Sequence, residues 1–429
     1  MADPVSDPRV TREDLIDAGL EGDRPFLPGT ARAALAHRDF RILFVGMFGS
    51  QVGTWMQNVL LGAYAFELTH SETYVAVLFW AQLGPMLLLA PLGGLLADSL
   101  DRRWLLFWTQ AGQLGFSVAL GLVALDAHPS RSLVFACVLG VGISNAVGAA
   151  SVSSVLPTMV PAADLPGAVS LQSAQLNLSR VIGPVIGALM YTQISAASVF
   201  LANAGTYVFA LVAVVLVSYP RHAADPTAGG LAERYIAGYR VVRADPLVRR
   251  IIVTIFLFSF FSLPFLGLLP VIAADNLHVS LRSVDYGVFF ALFGVGATAG
   301  AVSVGTWFAT WPKAKLLRPS LLAFAALLAA FALVRDIVAA DIVGFALAYA
   351  YFVVITSLLT VLQQHVSNAV RGRVMALWFM GFGGTVPLGT LAFGAITSAS
   401  SITIALLVSA AMSVALVAYA DLIRAGAPR

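Results

Sequence analysis

Cysteine and charge are both scarce in this chain. The single cysteine, Cys137, stands inside an apolar run, which excludes a disulfide framework and a cysteine-rich metal site. It reads as a small packed hydrophobe. Only 11% of the 429 residues are charged, whereas 59% are hydrophobic, and a water-soluble domain of this length needs far more charge to cover its surface. The phosphate-cradling run G-x-x-x-x-G-K-[ST] is missing, as are H-E-x-x-H and any Cys/His cluster. An ATP-driven pump and a metal hydrolase are thereby left without their machinery, so no enzyme, metal or cofactor is expected. The formal net charge of +3 is broken up by apolar runs instead of gathering on one polar face, which argues against a nucleic-acid partner.

What the chain does have is apolar segments of about 20 residues, each long enough at 1.5 Å per residue to cross a hydrocarbon core of about 30 Å. They must be helices, because an open sheet in lipid leaves backbone groups unpaired and outer-membrane strands alternate in polarity. The first half places them at Phe40–Glu67, Tyr74–Asp98, Trp104–Leu125, Ser132–Leu156, Ala168–Thr192 and Ala197–Tyr219. The second half places them at Arg250–Ala274, Asp285–Ala309, Leu316–Arg335, Asp341–His365, Arg373–Thr397 and Ile402–Ile423. With this count and a cytoplasmic N-terminus, most basic residues fall on the cytoplasmic side. Arg131, Arg282 and Arg335 are the exceptions, and such an asymmetry sets membrane topology. Both termini are thus expected in the cytoplasm and the lipid bilayer is the chain's main solvent.

Four regions follow. Residues 1–37 carry alternating charge and four prolines without the apolar core of a signal peptide, and read as a cytoplasmic tail. Residues 38–219 and 250–429 each hold six apolar segments. Between them residues 220–249 form the longest internal hydrophilic stretch, with an amphipathic helix expected over Leu231–Arg243. Weak echoes between the halves, such as Gly94 with Gly300 and Gly167 with Gly372, fit a duplicated transporter. The expected fold is an all-α membrane protein of about twelve transmembrane helices in two pseudo-symmetric six-helix bundles.

Polar residues inside apolar helices mark the working surface. Gln51, Trp55 and Asn58 recur at four and three residues on one face of the first helix, and Gln172, Gln175 and Ser179 share a face of the fifth. Two such faces point to a water-filled central cavity, although amides bonding across helices would show the same pattern. Arg180 is the one basic residue that cannot be moved to an interface, and a charge at that depth costs about 2.5 to 3.5 kcal/mol on insertion scales. It therefore faces either substrate or paired polar neighbours. Phe260, Tyr351 and Trp378 are aromatic candidates for the same site, with packing as the plainer alternative. Acids lie at helix ends only. Glu67 is the candidate proton carrier, with an interfacial anchor as the other reading, and His365 a weaker one.

Three runs carry a resemblance to a known family. The loop Gly94-Leu-Leu-Ala-Asp98-Ser-Leu-Asp101-Arg102-Arg103 resembles the major facilitator signature G-x-L-A-D-R-x-G-R-[KR], with Ser99 and Asp101 in place of Arg and Gly. Asn177-Leu-Ser179-Arg180-Val-Ile-Gly183-Pro184-Val-Ile-Gly187-Ala188 resembles the exporter-type run G-x-x-x-G-P-x-x-G-G. With Arg371-Gly372-Arg373-Val374-Met375, these runs are similar to the branch of the major facilitator superfamily that includes the enterobactin exporter and macrolide efflux proteins. The resemblance implies that Asp98, Arg102, Arg103, Arg371 and Arg373 latch a cytoplasmic gate, and that Gly183 and Pro184 make a tight, bendable seam. A plain helix end with basic anchors, and plain helix packing, fit the same residues.

The expected function is export of a small amphipathic organic molecule, such as a drug, toxic metabolite or siderophore, by alternating access in a monomer coupled to protons or another ion. A nutrient importer or facilitator of the same fold is one alternative. A non-transporting membrane sensor, with Leu231–Arg243 as its output surface, is another.

Overall fold

Hydroxyl and carboxylate side chains start most of the helices. In the computed structural model, which describes residue 26 and residues 29–89, 92, 96, 100–155, 159–219, 239–308, 310–366, 374–375 and 377–422, every regular element is helical. The side chains of residues 149–154, 162, 166, 173 and 177 lie outside the description. After a short α1 (Ala31–Ala36), the first half runs α2 (Arg38–Thr69), α3 (Glu72–Leu83), α4 (Arg102–Val123), α5 (Arg131–Val155), α6 (Leu165–Gln193) and α7 (Ala196–Leu216). Ser71, Asp101 and Ser195 accept from backbone amides at the starts of α3, α4 and α7, satisfying donors that no helical partner reaches. His70 closes α2 in a left-handed conformation at φ 47°, so only two residues separate α2 from α3.

The second half holds α8 (Pro246–Leu257), α9 (Val284–Gly305), α10 (Lys313–Leu333), α11 (Ile337–His365), α12 (Thr385–Ala399) and α13 (Ile402–Tyr419). Asp245, Ser283, Asp336 and Ser401 cap α8, α9, α11 and α13. Beyond α8 the regular helix that sequence places over Arg250–Ala274 breaks into a π turn (Phe258–Ser262), a 3₁₀ turn (Pro264–Leu266), a helical turn (Leu269–Val271) and a second π turn (Ile272–Asn276). Pro264 and Pro270 lack the N–H groups that a continuous helix needs. Hydroxyls from other helices take up the freed carbonyls: Ser409 donates to Phe261 O and Thr390 to Pro264 O. Before α12, Met380–Gly384 form another π turn ahead of Pro387, and Thr385 Oγ1 donates back to Gly381 O.

Nine helices among the described residues are long and apolar enough to cross a membrane, with α3 reaching Leu89 and the α12 span starting at Leu377. The chain is therefore an all-α polytopic membrane protein. Three further long segments fall outside that set: α2, α6 and the broken stretch from Pro246 to Asn276. The first two are 32 and 29 residues long, but polar residues interrupt their apolar runs. Within the first half α2 packs on α6 and α7, and α4 on α5 and α7; within the second, α11 packs on α9 and α10, and α10 on α13. The extensive contacts between halves pair α6 with α9 and α3 with α12. Both seams use small residues. A Cβ at Gly287 would lie 2.3 Å from Ala188 Cβ, and one at Gly384 2.5 Å from Leu87 Cδ1, so the backbones meet where no side chain fits.

Candidate functional site

A cavity of about 520 Å³ lies between the halves, within the size range of small-molecule sites. Its two walls differ in chemistry. The first half supplies the amides, namely Gln51 and Asn58 from α2, Gln82 from α3, Gln110 and Gln113 from α4, Asn145 from α5, and Gln172 and Gln175 from α6, set among Trp55, Phe79 and aliphatic side chains. The second half supplies Phe290 and Phe293 from α9, Tyr351 and Phe352 from α11, and Phe379 and Phe382 ahead of α12. Such a chamber suits a molecule with one polar and one apolar face.

The amide side is held by hydrogen bonds behind it. Gln57 Oε1 accepts from Asn203 Nδ2 at 2.7 Å and from Ser117 Oγ at 3.2 Å, and Thr54 Oγ1 meets Tyr207 Oη at 3.0 Å. These buried contacts fix the rotation of α2 against α4 and α7. Gly53 makes the approach to α7 possible, since a Cβ there would sit 2.2 Å from Thr206 Oγ1. Asn58 Oδ1 accepts from Gln82 Nε2, so that amide bonds across helices as well as facing the cavity. Gln110 Oε1 and Gln175 Oε1 are buried without a hydrogen-bond partner.

Arg180 is the one charged side chain lining the cavity among the described residues. Its guanidinium carbon lies 5.2 Å from the Trp55 ring centre and 5.0 Å from that of Phe352, one ring from each half. Its Nε is buried and donates to nothing. Cation–π contacts contribute about 0.5 to 2 kcal/mol each, roughly offsetting the cost of a charge at this depth while leaving its donors unused. Behind it, a Cβ at Gly183 would lie 2.7 Å from both Trp55 Cβ and Val52 O, and one at Gly187 2.8 Å from Met56 Cγ. Pro184 lies within a continuous α6. The Gly-Pro run thus brings α6 against α2 and sets Arg180 beside Trp55.

Gln51, Trp55, Asn58, Gln172, Gln175, Arg180 and Tyr351 therefore all lie on the cavity wall. Phe260 is off the wall, edge-on to Phe261 at 4.9 Å, and Trp378 is fully buried in the hydrophobic core. Both are turned away by the broken backbone around them, which periodicity does not foresee. Gln82, Gln110, Gln113, Asn145, Phe352 and Phe379 escaped the sequence reading. Gln110, Gln113 and Ser117 recur at three and four residues on α4, a signal that could have found that face.

The two ends of the cavity are tied differently. At the end where α2 finishes, Glu67 Oε2 accepts from Tyr191 Oη at 2.6 Å and from Arg282 Nε at 2.8 Å, and Arg282 lies over the Tyr191 ring. Nearby Ser398 Oγ donates to Glu72 Oε2 at 3.2 Å and meets Thr73 Oγ1 at 3.2 Å. Both clusters join the halves. The hydrogen bond to Glu67 is the main cause that raises the Arg282 pKa. At the opposite end, His37 pairs with Asp164 at 2.8 Å within the first half, and Arg103 Nη2 donates to Val215 O at 2.9 Å. In the second half His365 pairs with Asp245 at 2.7 Å, and Arg250 and Arg318 reach Asp421. Arg102 opens α4 beside Arg103. Asp98, Arg371 and Arg373, the tail before residue 26, the Asn177 side chain and most of the 220–249 linker lie outside the described residues.

A family model described as transmembrane secretion effector, MFS_3, matches residues 29–425. The chain belongs to this family. Enterobactin exporter EntS of Escherichia coli O1:K1 / APEC is 28% identical over 351 residues, 80% of this chain and 81% of that protein. EntS of Shigella boydii serotype 18 aligns to the same extent at 28%. Among solved structures, nucleoside transporter NupG superposes with a TM-score of 0.70 at 13% identity, covering 90% of this chain and 99% of NupG. A bacterial homologue of the human lysosomal transporter Spinster, in an inward-facing, unoccupied conformation, gives 0.68 at 15% identity, covering 90% and 95%. This MFS_3 protein is thus a multi-pass inner-membrane transporter of a small molecule, a carrier and not an enzyme.

Proposed function

We propose that this MFS_3 protein exports a small amphipathic organic molecule by alternating access, with two six-helix bundles rocking about the amide-and-aromatic cavity and both termini in the cytoplasm. The observation that carries the reading is the junction of the halves. The first half contributes the amides and Arg180 among apolar side chains, the second a wall rich in rings, and hydrogen bonds join the halves at the Glu67 end. On the charge-based topology that end faces outward, so the conformation is the inward-facing one, able to load from the cytoplasm. Kinship with enterobactin exporters supports the direction.

In this reading Gln51, Trp55, Asn58, Gln172, Gln175, Arg180 and Tyr351 contact substrate. Phe260 and Trp378, set back from the wall, are supports. Asp98, Arg102, Arg103, Arg371 and Arg373 form the cytoplasmic latch of the alternate state, and Gly183 with Pro184 lets α6 slide against α2. Glu67 is the coupling group. Its ties to Arg282 and Tyr191 join the halves at that end of the cavity, so an acid there is placed to link the opening of the outer gate to an ion gradient. The carrier works as a monomer, its cavity enclosed by one chain. Flux in inside-out vesicles energised with a proton gradient tests this proposal: accumulation of an amphipathic substrate that collapses with the gradient is expected. Net movement only in the opposite direction would mean an importer.

A further inference from the structure

We propose that the carried molecule is an organic anion, a carboxylate on an aromatic body, held by Arg180. The inference rests on the transporter reading of the cavity and narrows its substrate class. A chamber for cations is best served by an acid, yet the described lining holds none and instead carries the Arg180 guanidinium, whose charge repels a cation. Among the described residues the guanidinium has no acceptor: Nε is buried and unpaired, a donor that a carboxylate seated against Arg180 would satisfy as part of a fork of two parallel N–H···O bonds. Its two aromatic neighbours hold the plane of that fork without using its donors. Gln175, a lining residue 5% exposed on the same helix, has a buried carbonyl oxygen without a partner, an acceptor for a hydroxyl or amide N–H on the ligand. The rings of the opposite wall take the apolar body, and the cavity of about 520 Å³ limits that body to a few fused or linked rings.

Arg180 also reaches rings of both halves, so a bound anion would sit where the halves meet. Neutralising the guanidinium there removes the electrostatic penalty of moving it between two differently solvated states. The anion would therefore ease the rocking motion as well as ride on it.

The test uses three probes that share one aromatic body: 2-naphthoate, the neutral 2-naphthamide and the cationic 2-naphthylmethylamine. Binding of tritiated 2-naphthoate to the purified full-length protein is measured with each unlabelled compound as competitor. In wild type the amide is expected to need at least about tenfold more than the carboxylate to compete, the margin of a charge-assisted fork, with the amine weaker still. Arg180→Gln should lose that margin while its melting temperature holds or rises, because an unpaired charge has been removed. Arg180→Lys, which keeps the charge but not the fork, should fall between. Equal competition by carboxylate and amide, tighter binding of the amine, no naphthoate binding at all, or an unchanged margin in both variants would each overturn the proposal. Vesicle flux separates this from the parent reading. Transport of the amine but not the carboxylate would overturn the anion assignment and leave the transporter standing; fork-dependent naphthoate binding without flux would support the anion site while removing the transport step.

Discussion

Replacing Glu67 by Ala should open the outer end of the cavity. In the present conformation one carboxylate oxygen of Glu67 receives both Tyr191 Oη and Arg282 Nε, and only the second partner belongs to the other half. The Arg282 side chain is 62% exposed and that of Glu67 27%, so their ion pair lies in the range of surface pairs, about 0.2 to 1 kcal/mol after solvent screening. The ring contact between Arg282 and Tyr191 adds about 0.5 kcal/mol, the value for an exposed site, because the guanidinium faces solvent although the ring is buried. Loss of the carboxylate removes the anchor that orients both groups, so about 0.7 to 1.5 kcal/mol of bias toward the outer-closed state disappears. That is a population shift of about three- to twelvefold. Spin labels at His128→Cys and Val338→Cys, in a Cys137→Ser background, lie near the outer ends of the two halves on exposed positions. Their pulsed dipolar distance distribution should gain a longer component in Glu67→Ala. Glu67→Gln, which keeps an acceptor for both donors, should gain less. An identical distribution in wild type and Glu67→Ala would refute the reasoning, and so would a shift of equal size in Arg38→Ala at the far end.

Three further outcomes follow from packing and titration. Gly183→Val should lower the melting temperature by forcing α6 from α2, at the overpacking cost of about 1 to 3 kcal/mol, as read by thermal unfolding in detergent. Trp378→Ala should cost about 3 to 5 kcal/mol of stability yet leave the ratio of carboxylate to amide binding intact, since the ring is buried away from the cavity. Burial raises the Asp245 carboxyl, but hydrogen bonds from His365 and the Val248 and Leu247 amides outweigh it and hold the pKa below its ordinary value of 3.8. The stabilisation is therefore fully present above pH 3.8 and is lost as pH falls through the lower folded value. Melting temperature against pH should lose part of its acid-side slope in Asp245→Asn.

The helical, membrane-crossing character was legible because lipid leaves the backbone few choices, so continuous apolar runs suffice. The polar faces of α2 and α6 were also legible, since Gln51, Trp55 and Asn58 keep helical spacing without a break. Where proline and glycine interrupt that spacing, the same rule fails. Phe260 lies in the stretch broken ahead of Pro264, and Trp378 just before the π turn ahead of Pro387, so neither points where an ideal helix would send it. The aromatic wall was only half visible. Phe352 faces Arg180 across the seam between halves, and no local pattern in α11 distinguishes it from a lipid-facing ring. Likewise Glu67 looks like a lone helix-end acid until Arg282, 215 residues away, is brought beside it.

Thiol accessibility of a cavity residue tests alternating access most directly. Asn58→Cys in the Cys137→Ser background places one thiol on the cavity wall, and a membrane-impermeant maleimide is applied to right-side-out or to inside-out vesicles. The account predicts fast modification from the cytoplasmic face and slow modification from the outside, with the outside rate rising about three- to twelvefold when Glu67→Ala is added. Fast labelling from the outside in the Glu67-intact protein, or protection from both faces, would contradict it.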